Sequence, residues 1–287
     1  MDQAAVDQLI ELLDLEPIEV NIFRGTSPDE HRQRVFGGQV AGQALVAAAR
    51  TVEPDHHAHS LQSYFLRAGD PTVPILYEVD RPRDGRSFTT RRVRAIQHGK
   101  DIFGLSASFQ KPEDGFDHQF DTPAGVPDPE SLPDFHTRME PWAEQLGEWY
   151  TRPRAIDTRY VDWRPPTDTT PRPPHQYVWF RANGTLPDGQ LLHSVVATYA
   201  SDMTVLDTSL NPHGGSGLGQ VFMASLDHAV WFHRGFRADE WLLYDQDSPT
   251  ASDGRGLGRG LIYTADGRLV ASVVQEGLIR PAREATL

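Results

Sequence analysis

The sequence predicts an α+β fold made of two similar halves, each with one buried helix followed by a run of antiparallel strands. The segment LYEVDRPRDGR at 76–86 returns as LYDQDSPTASDGR at 243–255, with two extra residues in the second copy. Similar residues flank both copies, and a long proline-rich stretch separates them. An internal duplication of this kind indicates two structural units built to one plan.

The first half begins with two predicted helices of different character. Apolar residues at helical spacing from Val6 to Leu13, followed by Pro17, predict a short amphipathic helix. Residues 39–52 are mostly Ala, Val, Leu and Gln with apolar side chains all round, so this helix is predicted to be buried. Four strands separated by Gly, Pro and Asp turn residues are predicted at 60–68, 73–81, 87–97 and 101–110.

The second half repeats this order after the connector, residues 112–174. The connector holds twelve of the 22 prolines together with three tryptophans, which predicts a segment that packs on the domains and is not a free tether. The predicted domain boundaries are therefore 1–111, 112–174 and 175–287. The second half is predicted as a strand at 176–182, a helix from 191 to about 206, and strands at 221–233, 241–246, 258–264 and 269–279.

This order of elements suits the hotdog arrangement, in which a strongly curved antiparallel sheet wraps around one central helix. Two such units in one chain can join their sheets edge to edge into one continuous sheet, which also covers strand edges that would otherwise invite aggregation. The prediction is an α+β double hotdog. Periodicity alone leaves a β-sandwich or another α+β fold open.

Charge and composition exclude several classes of function. A formal net charge of −13 argues against a general nucleic-acid or anionic-membrane binder, since either needs a basic face. The absence of cysteine excludes disulfides, thiolate metal sites and a cysteine nucleophile. An acidic N-terminus, no apolar run of membrane-spanning length, and a C-terminus at 284–287 without a Ser-Lys-Leu address predict a cytoplasmic protein.

Familiar catalytic and cofactor signatures are missing. No G-x-S-x-G, H-E-x-x-H or P-loop motif occurs. The glycine-rich runs at 214–219 and 254–260 lack the spacing of a dinucleotide fingerprint, so turns are predicted there. His56, His57 and His59 form a cluster that is predicted to be a surface loop and not a metal site. No cofactor and no metal are expected.

Three polar residues interrupt apolar segments of the second half. Asp202 lies in a predicted core helix, where a carboxylate is costly unless it is hydrogen-bonded or serves as a base; a helix-end or surface position is an equal alternative. Gln275 interrupts the last strand, where an amide could orient a water or a carbonyl, or simply face outward. Ser225 opens a strand and could be an ordinary strand hydroxyl.

A serine-hydrolase triad is not predicted from these residues. His228 follows Ser225 by three positions on one predicted strand, and residues three apart on a regular strand point to opposite faces.

Several longer motifs resemble the type II acyl-CoA thioesterases, the TesB-like double-hotdog family. The similarity extends from about residue 9 to residue 280, and the connector is the least distinctive part. The motifs that carry it are VFGGQVAGQAL at 35–45, YASDM at 199–203, SLDHAVWFH at 225–233, EWLLY at 240–244 and VVQEGLIR at 273–280.

The resemblance implies an enzyme that hydrolyses acyl-CoA thioesters to a free fatty acid and CoA, without a cofactor. It implies that Asp202, Ser225 and Gln275 form a polar triad that binds and activates water. Some family members have threonine at the position of Ser225, and the hydroxyl is retained. A broad range of acyl lengths and a homo-oligomer are expected.

Other contributions to the site are less defined in the sequence. Backbone N–H groups at the start of a hotdog helix are candidate oxyanion donors. Gly38 or Gln39 could contribute to such a helix end or to the acyl pocket. The arginine-rich stretch could contact the phosphates of CoA, or form solvated strand faces and a turn; it consists of Arg81, Arg83, Arg86, Arg91, Arg92 and Arg94.

Two other functions remain open at this point. A double-hotdog hydratase or dehydratase works through a histidine and a carboxylate, and His193 lies well before Asp202 in the matching helix. A non-catalytic acyl-CoA-binding protein would be marked by loss of Asp202, Ser225 or Gln275, and all three are present.

Overall fold

The computed structural model describes residues 1–28, 34–215 and 221–281. Its first half contains two helices and six strands. They are α1 (Gln3–Leu13), β1 (Glu16–Glu19), β2 (Ile22–Gly25), α2 (Gly37–Ala49), β3 (His57–Phe65), β4 (Ile75–Asp84), β5 (Phe88–Gln97) and β6 (Lys100–Gln110). As predicted, α2 is buried nearly throughout, since ten of its 13 residues are buried.

The connector contains short helical turns and one strand that joins the sheet. Its elements are 3₁₀ turns at Pro129–Ser131 and Glu140–Trp142, and α3 (Phe135–Met139), α4 (Ala143–Leu146), α5 (Glu148–Thr151) and β7 (Ile156–Tyr160). β7 pairs with the first strand of the second half and so ties the connector to the sheet.

The second half repeats the plan of the first. Its elements are β8 (His175–Ala182), α6 (Gln190–Ser201), a 3₁₀ helix at Val205–His213, β9 (Val221–Ser225), β10 (Asp227–Phe232), β11 (Leu242–Ser252), β12 (Arg255–Thr264) and β13 (Leu269–Pro281). Among the described residues, no helix combines the length and apolar character needed to cross a membrane.

The thirteen strands found in the described part of the chain belong to one antiparallel sheet. The order along it is β1-β2-β4-β5-β6-β3-β10-β13-β12-β11-β8-β7, and β9 also pairs with β13. The halves meet where β3 pairs with β10, with Leu61 opposite Val230. The sheet curves around α2 and α6, which pack on each other. The predicted double hotdog with one continuous sheet is confirmed.

The helix of the second half is shorter than predicted. α6 ends at Ser201, and the chain continues as a 3₁₀ helix instead of an α-helix to about residue 206. Hydroxyl side chains in this segment donate to carbonyls three residues earlier, Thr208 to Val205 and Ser209 to Leu206. Such local bonds compete with regular α-helical pairing and favour the tighter turn.

The prediction of turns throughout 254–260 is wrong, because most of this run forms strand β12. Only Gly254 lies in the hairpin turn, with φ of 73°. Its neighbours Gly256 and Gly258 face the 3₁₀ helix, and a Cβ on them would lie 2.5 Å from Ser209 Oγ and 2.6 Å from Val205 O. These glycines therefore allow the 3₁₀ helix to pack directly on the strand. Of the run at 214–219, residues 216–219 lie outside the described part.

The histidine cluster is also only partly a loop. His56 precedes the first long strand, whereas His57 and His59 lie on β3, and His59 Nε2 is 2.8 Å from Ser108 Oγ. Within the described ranges, no group of three or more histidine, aspartate and glutamate side chains could hold a metal ion.

A buried arginine closes the C-terminal end of α2. Arg91 on β5 is fully buried, and its Nε and Nη2 donate to Oγ1 and the carbonyl oxygen of Thr51, each at 2.7 Å. In the first half Leu76 lies opposite Ile96, and in the second half the matching Leu243 lies opposite Tyr263. Because Arg91 precedes Ile96 by as many residues as Gly258 precedes Tyr263, Gly258 takes the position of Arg91 in the second half. The two halves thus differ at the ends of their central helices.

Candidate active site

Asp202 lies beside the start of α2, because the two central helices pack side by side and antiparallel, with Gly38 near Tyr199 and Gly42 near Val195. It is the C-cap residue of α6, one position beyond the last helical residue, which is the helix-end position that the apolar pattern left open beside the helix interior. The backbone N–H of Gly38, in the first turn of α2, donates to its carboxylate. The N-terminal end of α2 carries partial positive charge, which favours a carboxylate there.

The structure brings Asp202, Ser225 and Gln275 together. Ser225 Oγ donates to Asp202 Oδ1 at 3.1 Å, and Gln275 Nε2 donates to the same oxygen at 2.6 Å. Gln275 Nε2 also lies 2.7 Å from Ser225 Oγ. One carboxylate oxygen therefore accepts from both an amide and a hydroxyl, which holds the side chain in one orientation.

A β-bulge positions Ser225. The predicted single strand at 221–233 is split at Leu226, because Ser225 pairs with Gly277 while Ala229 pairs with Val274, a shift of one residue. The extra residue turns the following side chains over, so that positions three apart face the same side. The argument that residues 225 and 228 must point to opposite faces is therefore wrong.

His228 supports Gln275 from behind the site. This fully buried ring has Nδ1 2.7 Å from Gln275 Oε1 and Nε2 2.9 Å from Ser201 Oγ. Because an amide oxygen only accepts, Nδ1 donates to it, and the Gln275 amide nitrogen is directed at Asp202. Burial lowers the pKa of His228, which keeps the ring neutral. Sequence reasoning missed this role, since no residue pattern marked the bulge.

The electrostatics of the site favour a carboxylate that can accept a proton. Burial raises the pKa of Asp202, while His228 and the hydrogen bonds from Gln275, Ser225 and Gly38 oppose this rise. A base with a raised pKa takes a proton more readily near neutral pH than an ordinary aspartate does.

A cleft of about 510 Å³ opens above these residues. Asp202 and Ser225 line it, and Gly37 lies beside them at the start of α2. The exposed Arg34 and Arg67 lie on its rim. Most of the remaining lining is apolar: Val35, Phe36, Val40, Phe65, Leu66, Ile102, Phe103, Met203, Leu206, Met223 and Leu226.

Gln39 lies outside this cleft. Its side-chain amide donates to Thr26 O and Ser27 Oγ, each at 3.1 Å, and so anchors the loop after β2. The arginine-rich stretch also lies outside the cleft, on the β4–β5 hairpin. Within it Arg91 is buried at the end of α2, and Arg94 pairs with Glu78 at 2.6 Å.

Asp207, on the wall of the same cleft, is expected to make stability depend on pH. Burial raises its pKa to about 7, opposed by Arg172. Between pH 4 and 7 the folded chain therefore retains a proton that the unfolded chain has lost, and stability falls as pH rises. Asp207→Asn should stabilise the protein more at pH 8 than at pH 4.5, by up to about 3 kcal/mol. Urea unfolding at both pH values measures this, and an equal difference at both would contradict it.

Asp202, half-buried and held by an amide and a hydroxyl, lies at the floor of an apolar cleft in a double hotdog, an arrangement that suits the hydrolysis of an acyl thioester. Residues 159–278 match the family described as acyl-CoA thioesterase, and residues 27–110 match the acyl-CoA thioesterase N-terminal domain. The chain belongs to the acyl-CoA thioesterase family and is a thioester hydrolase.

Named relatives cover nearly the whole chain. Human acyl-coenzyme A thioesterase 8 is 43% identical over 281 residues, 94% of this chain and 88% of the relative. Acyl-CoA thioesterase 2 of Haemophilus influenzae is 40% identical over 282 residues, 96% of this chain and 98% of the relative. The crystal structure of acyl-CoA thioesterase II TesB2 from Mycobacterium marinum is 46% identical, with a TM-score of 0.79 over 96% of this chain and 99% of that one.

Proposed function

We propose that Asp202 acts as a general base on a water molecule that attacks the carbonyl carbon of an acyl-CoA thioester. The observation that carries this proposal is the pair of hydrogen bonds from Gln275 and Ser225 to one oxygen of Asp202. Both side chains donate to Oδ1, so Oδ2, on the side of Gly37, is the oxygen proposed to accept from water. Holding base and water in one geometry removes much of the entropic cost of the attack.

The first turn of α2 is the proposed oxyanion site. Its N-cap residue, Phe36, makes no side-chain cap hydrogen bond, and Gly37 lies in the cleft beside Asp202 Oδ2. Backbone N–H groups at a helix N-terminus stabilise the negative charge that develops on the thioester oxygen.

The reaction then completes without a cofactor. The water proton moves to Asp202, the tetrahedral intermediate collapses, and the C–S bond breaks. The thiolate of CoA leaves and takes up a proton, so the products are a free fatty acid and CoA. The acyl chain lies among the apolar residues of the cleft, such as Phe65, Phe103 and Val40.

A hydratase or dehydratase function is not favoured by the site. Such an enzyme would need a histidine at the substrate, but both ring nitrogens of His228 are engaged by Gln275 and Ser201. The dehydratase domain of PpsC from Mycobacterium tuberculosis shares the fold alone, at 13% identity and a TM-score of 0.51.

Release of CoA thiol from a panel of short- to long-chain acyl-CoAs tests the proposal, with Ser225 as the probe. Ser225→Ala removes one donor to Asp202 and should lower kcat by roughly 10-fold, the effect of about one hydrogen bond to a charged group. Ser225→Thr keeps the hydroxyl and should retain most of the activity. Hydration of an enoyl-CoA without thiol release, or equal rates in all three proteins, would contradict the proposal.

The remaining sequence predictions are proposals of the same kind. We infer domains at 1–111 and 175–287 with the connector between them, and a cytoplasmic enzyme.

A homo-oligomer is also proposed. It is supported by Tyr64 and Trp231, which are 64% and 37% exposed on the adjacent strands β3 and β10. Exposed aromatic side chains in the middle of a sheet are typical of a protein interface.

A further inference from the structure

A second cavity, here called the connector cavity, lies between the connector and the segment at 203–215. Its volume is about 360 Å³. The aromatic residues in its wall are Phe135, Trp149, Tyr160 and Trp163, and the basic residues are Arg138, Arg154, Arg164 and Arg172. In a chain with a net charge of −13, this is a local concentration of cations beside aromatic rings.

Two buried side chains in this wall have donors for which the described residues supply no acceptor. Arg138 is 6% exposed; its Nη2 donates to Thr158 O at 3.1 Å, but its Nε finds no acceptor in the described part of the chain. Asn211 is 1% exposed; its Oδ1 accepts from Arg172 Nε at 2.8 Å, but among the same residues its Nδ2 has no acceptor. Buried donors without acceptors are costly in free energy, and both side chains line the cavity, where a ligand could supply acceptor oxygens.

The charge of the wall favours an anion. Four arginines face the cavity against two carboxylates, Asp162 and Asp207. The pKa of Asp207 is raised to about 7 by burial, so near neutral pH it carries only part of its charge. Arg164 is paired with Asp168 at 2.9 Å. Arg138 is the most buried of the four arginines.

The connector cavity and the catalytic cleft share a wall. Met203 and Asp207 line both, directly after Asp202 in the chain. Met203, which is 37% exposed, therefore lies between a thioester held at Asp202 and the connector cavity.

We propose that the connector cavity binds the nucleotide end of CoA, with phosphate oxygens accepting from Arg138 and Asn211 and the purine ring against the aromatic wall. Aromatic rings stack on nucleobases, and arginine recognises phosphate through several donors at once. This inference rests on the proposed function, since it places the other end of the same substrate.

The rim of the catalytic cleft is the rival position for the phosphates. There Arg34 Nη2 already donates to Met223 O at 3.1 Å, and Arg67 Nη1 already donates to Asp101 O. Both side chains are exposed to solvent. The unpaired buried donors of the connector cavity gain more from a phosphate than these exposed and engaged arginines do.

Kinetics with two substrates test the position of the nucleotide. The acyl-CoA is compared with the same acyl group on pantetheine, which lacks the nucleotide. Arg138→Met and Asn211→Asp should each raise KM for the acyl-CoA roughly 10-fold or more, with KM for the acyl-pantetheine and both kcat values unchanged. Equal rises for both substrates would show a structural role and overturn the proposal. If instead Arg67→Met raises KM for the acyl-CoA alone, the nucleotide binds at the rim of the catalytic cleft and the proposal is also overturned.

Binding of adenosine 3′,5′-bisphosphate separates this proposal from the proposed function. Calorimetry should show one site in the wild type and roughly 10-fold or more weaker binding in Arg138→Met and Asn211→Asp. If the wild type cleaves neither thioester but binds the bisphosphate through Arg138, the proposed function fails and the nucleotide site stands. If it cleaves both and the variants bind the bisphosphate unchanged, the nucleotide site fails and the function stands.

Discussion

Asp202→Asn is expected to lower kcat for acyl-CoA hydrolysis by roughly 10² to 10⁴-fold, the usual contribution of a general base. Asparagine keeps an oxygen for the hydrogen bonds from Gln275 and Ser225, so the site should retain its shape while losing the charge. Thiol release at saturating substrate measures kcat, and urea unfolding reports whether the fold is intact. An unchanged rate in a folded variant would exclude Asp202 as the base.

The pH profile gives a second measurement of the same group. Because burial raises the pKa of Asp202, the acid limb of the kcat/KM profile should lie above the ordinary aspartate range. The rate should rise with pH as the carboxylate loses its proton, and Asp202→Asn should lose this limb. A single turnover in H₂¹⁸O should place the label in the released fatty acid; label in Asp202 would instead indicate attack by the carboxylate itself.

Gly37→Ala is expected to lower kcat by about 10 to 100-fold without direct removal of any polar group. A Cβ at this position would lie 2.7 Å from Asp202 Oδ2 and 2.9 Å from Phe65 Cε1. Both distances are too short, so the carboxylate or the helix must move. A displacement of about 1 Å at a reacting group can lower the rate by about 100-fold. Steady-state kinetics measure the loss.

Gly42→Ala is the matched control for Gly37→Ala. It lies on the same helix, and its Cβ would approach Leu13 Cδ2 at 3.0 Å, remote from the carboxylate. Alanine favours the helix over glycine at both positions, so a difference between the two variants reports on the position of Asp202. Full activity of Gly37→Ala would show that the carboxylate position is not critical.

The fold and the family could be predicted because their signals lie in long stretches of sequence. The duplicated segment at 76–86 and 243–255 indicated two units, and the apolar helix at 39–52 indicated a buried centre. Both signals depend on many residues, so an error at one position does not change the conclusion. Asp202, Ser225 and Gln275 stand out as polar side chains in apolar segments, but it was the resemblance to the acyl-CoA thioesterases that grouped them into one proposed site.

Other parts of the site could not be predicted because they depend on single-residue details of pairing. The bulge at Leu226 inserts one residue and changes the face of every side chain after it, which brought His228 behind Gln275. The end of α6 at Ser201 depends on local hydroxyl bonds, and it decides between the helix interior and the helix end for Asp202, a choice that the sequence left open. No apolar periodicity records either event.

The C-terminal ends of the two central helices carry unlike residues. Where α6 ends in Asp202, α2 ends in Arg50, a residue of opposite charge that bonds to the carbonyl oxygen of Leu15. A symmetric pair of identical hotdog units would have the same residues at both helix ends. Two units joined in one chain need not be identical, so one helix end can carry the proposed base while the other half contributes the start of α2 beside it.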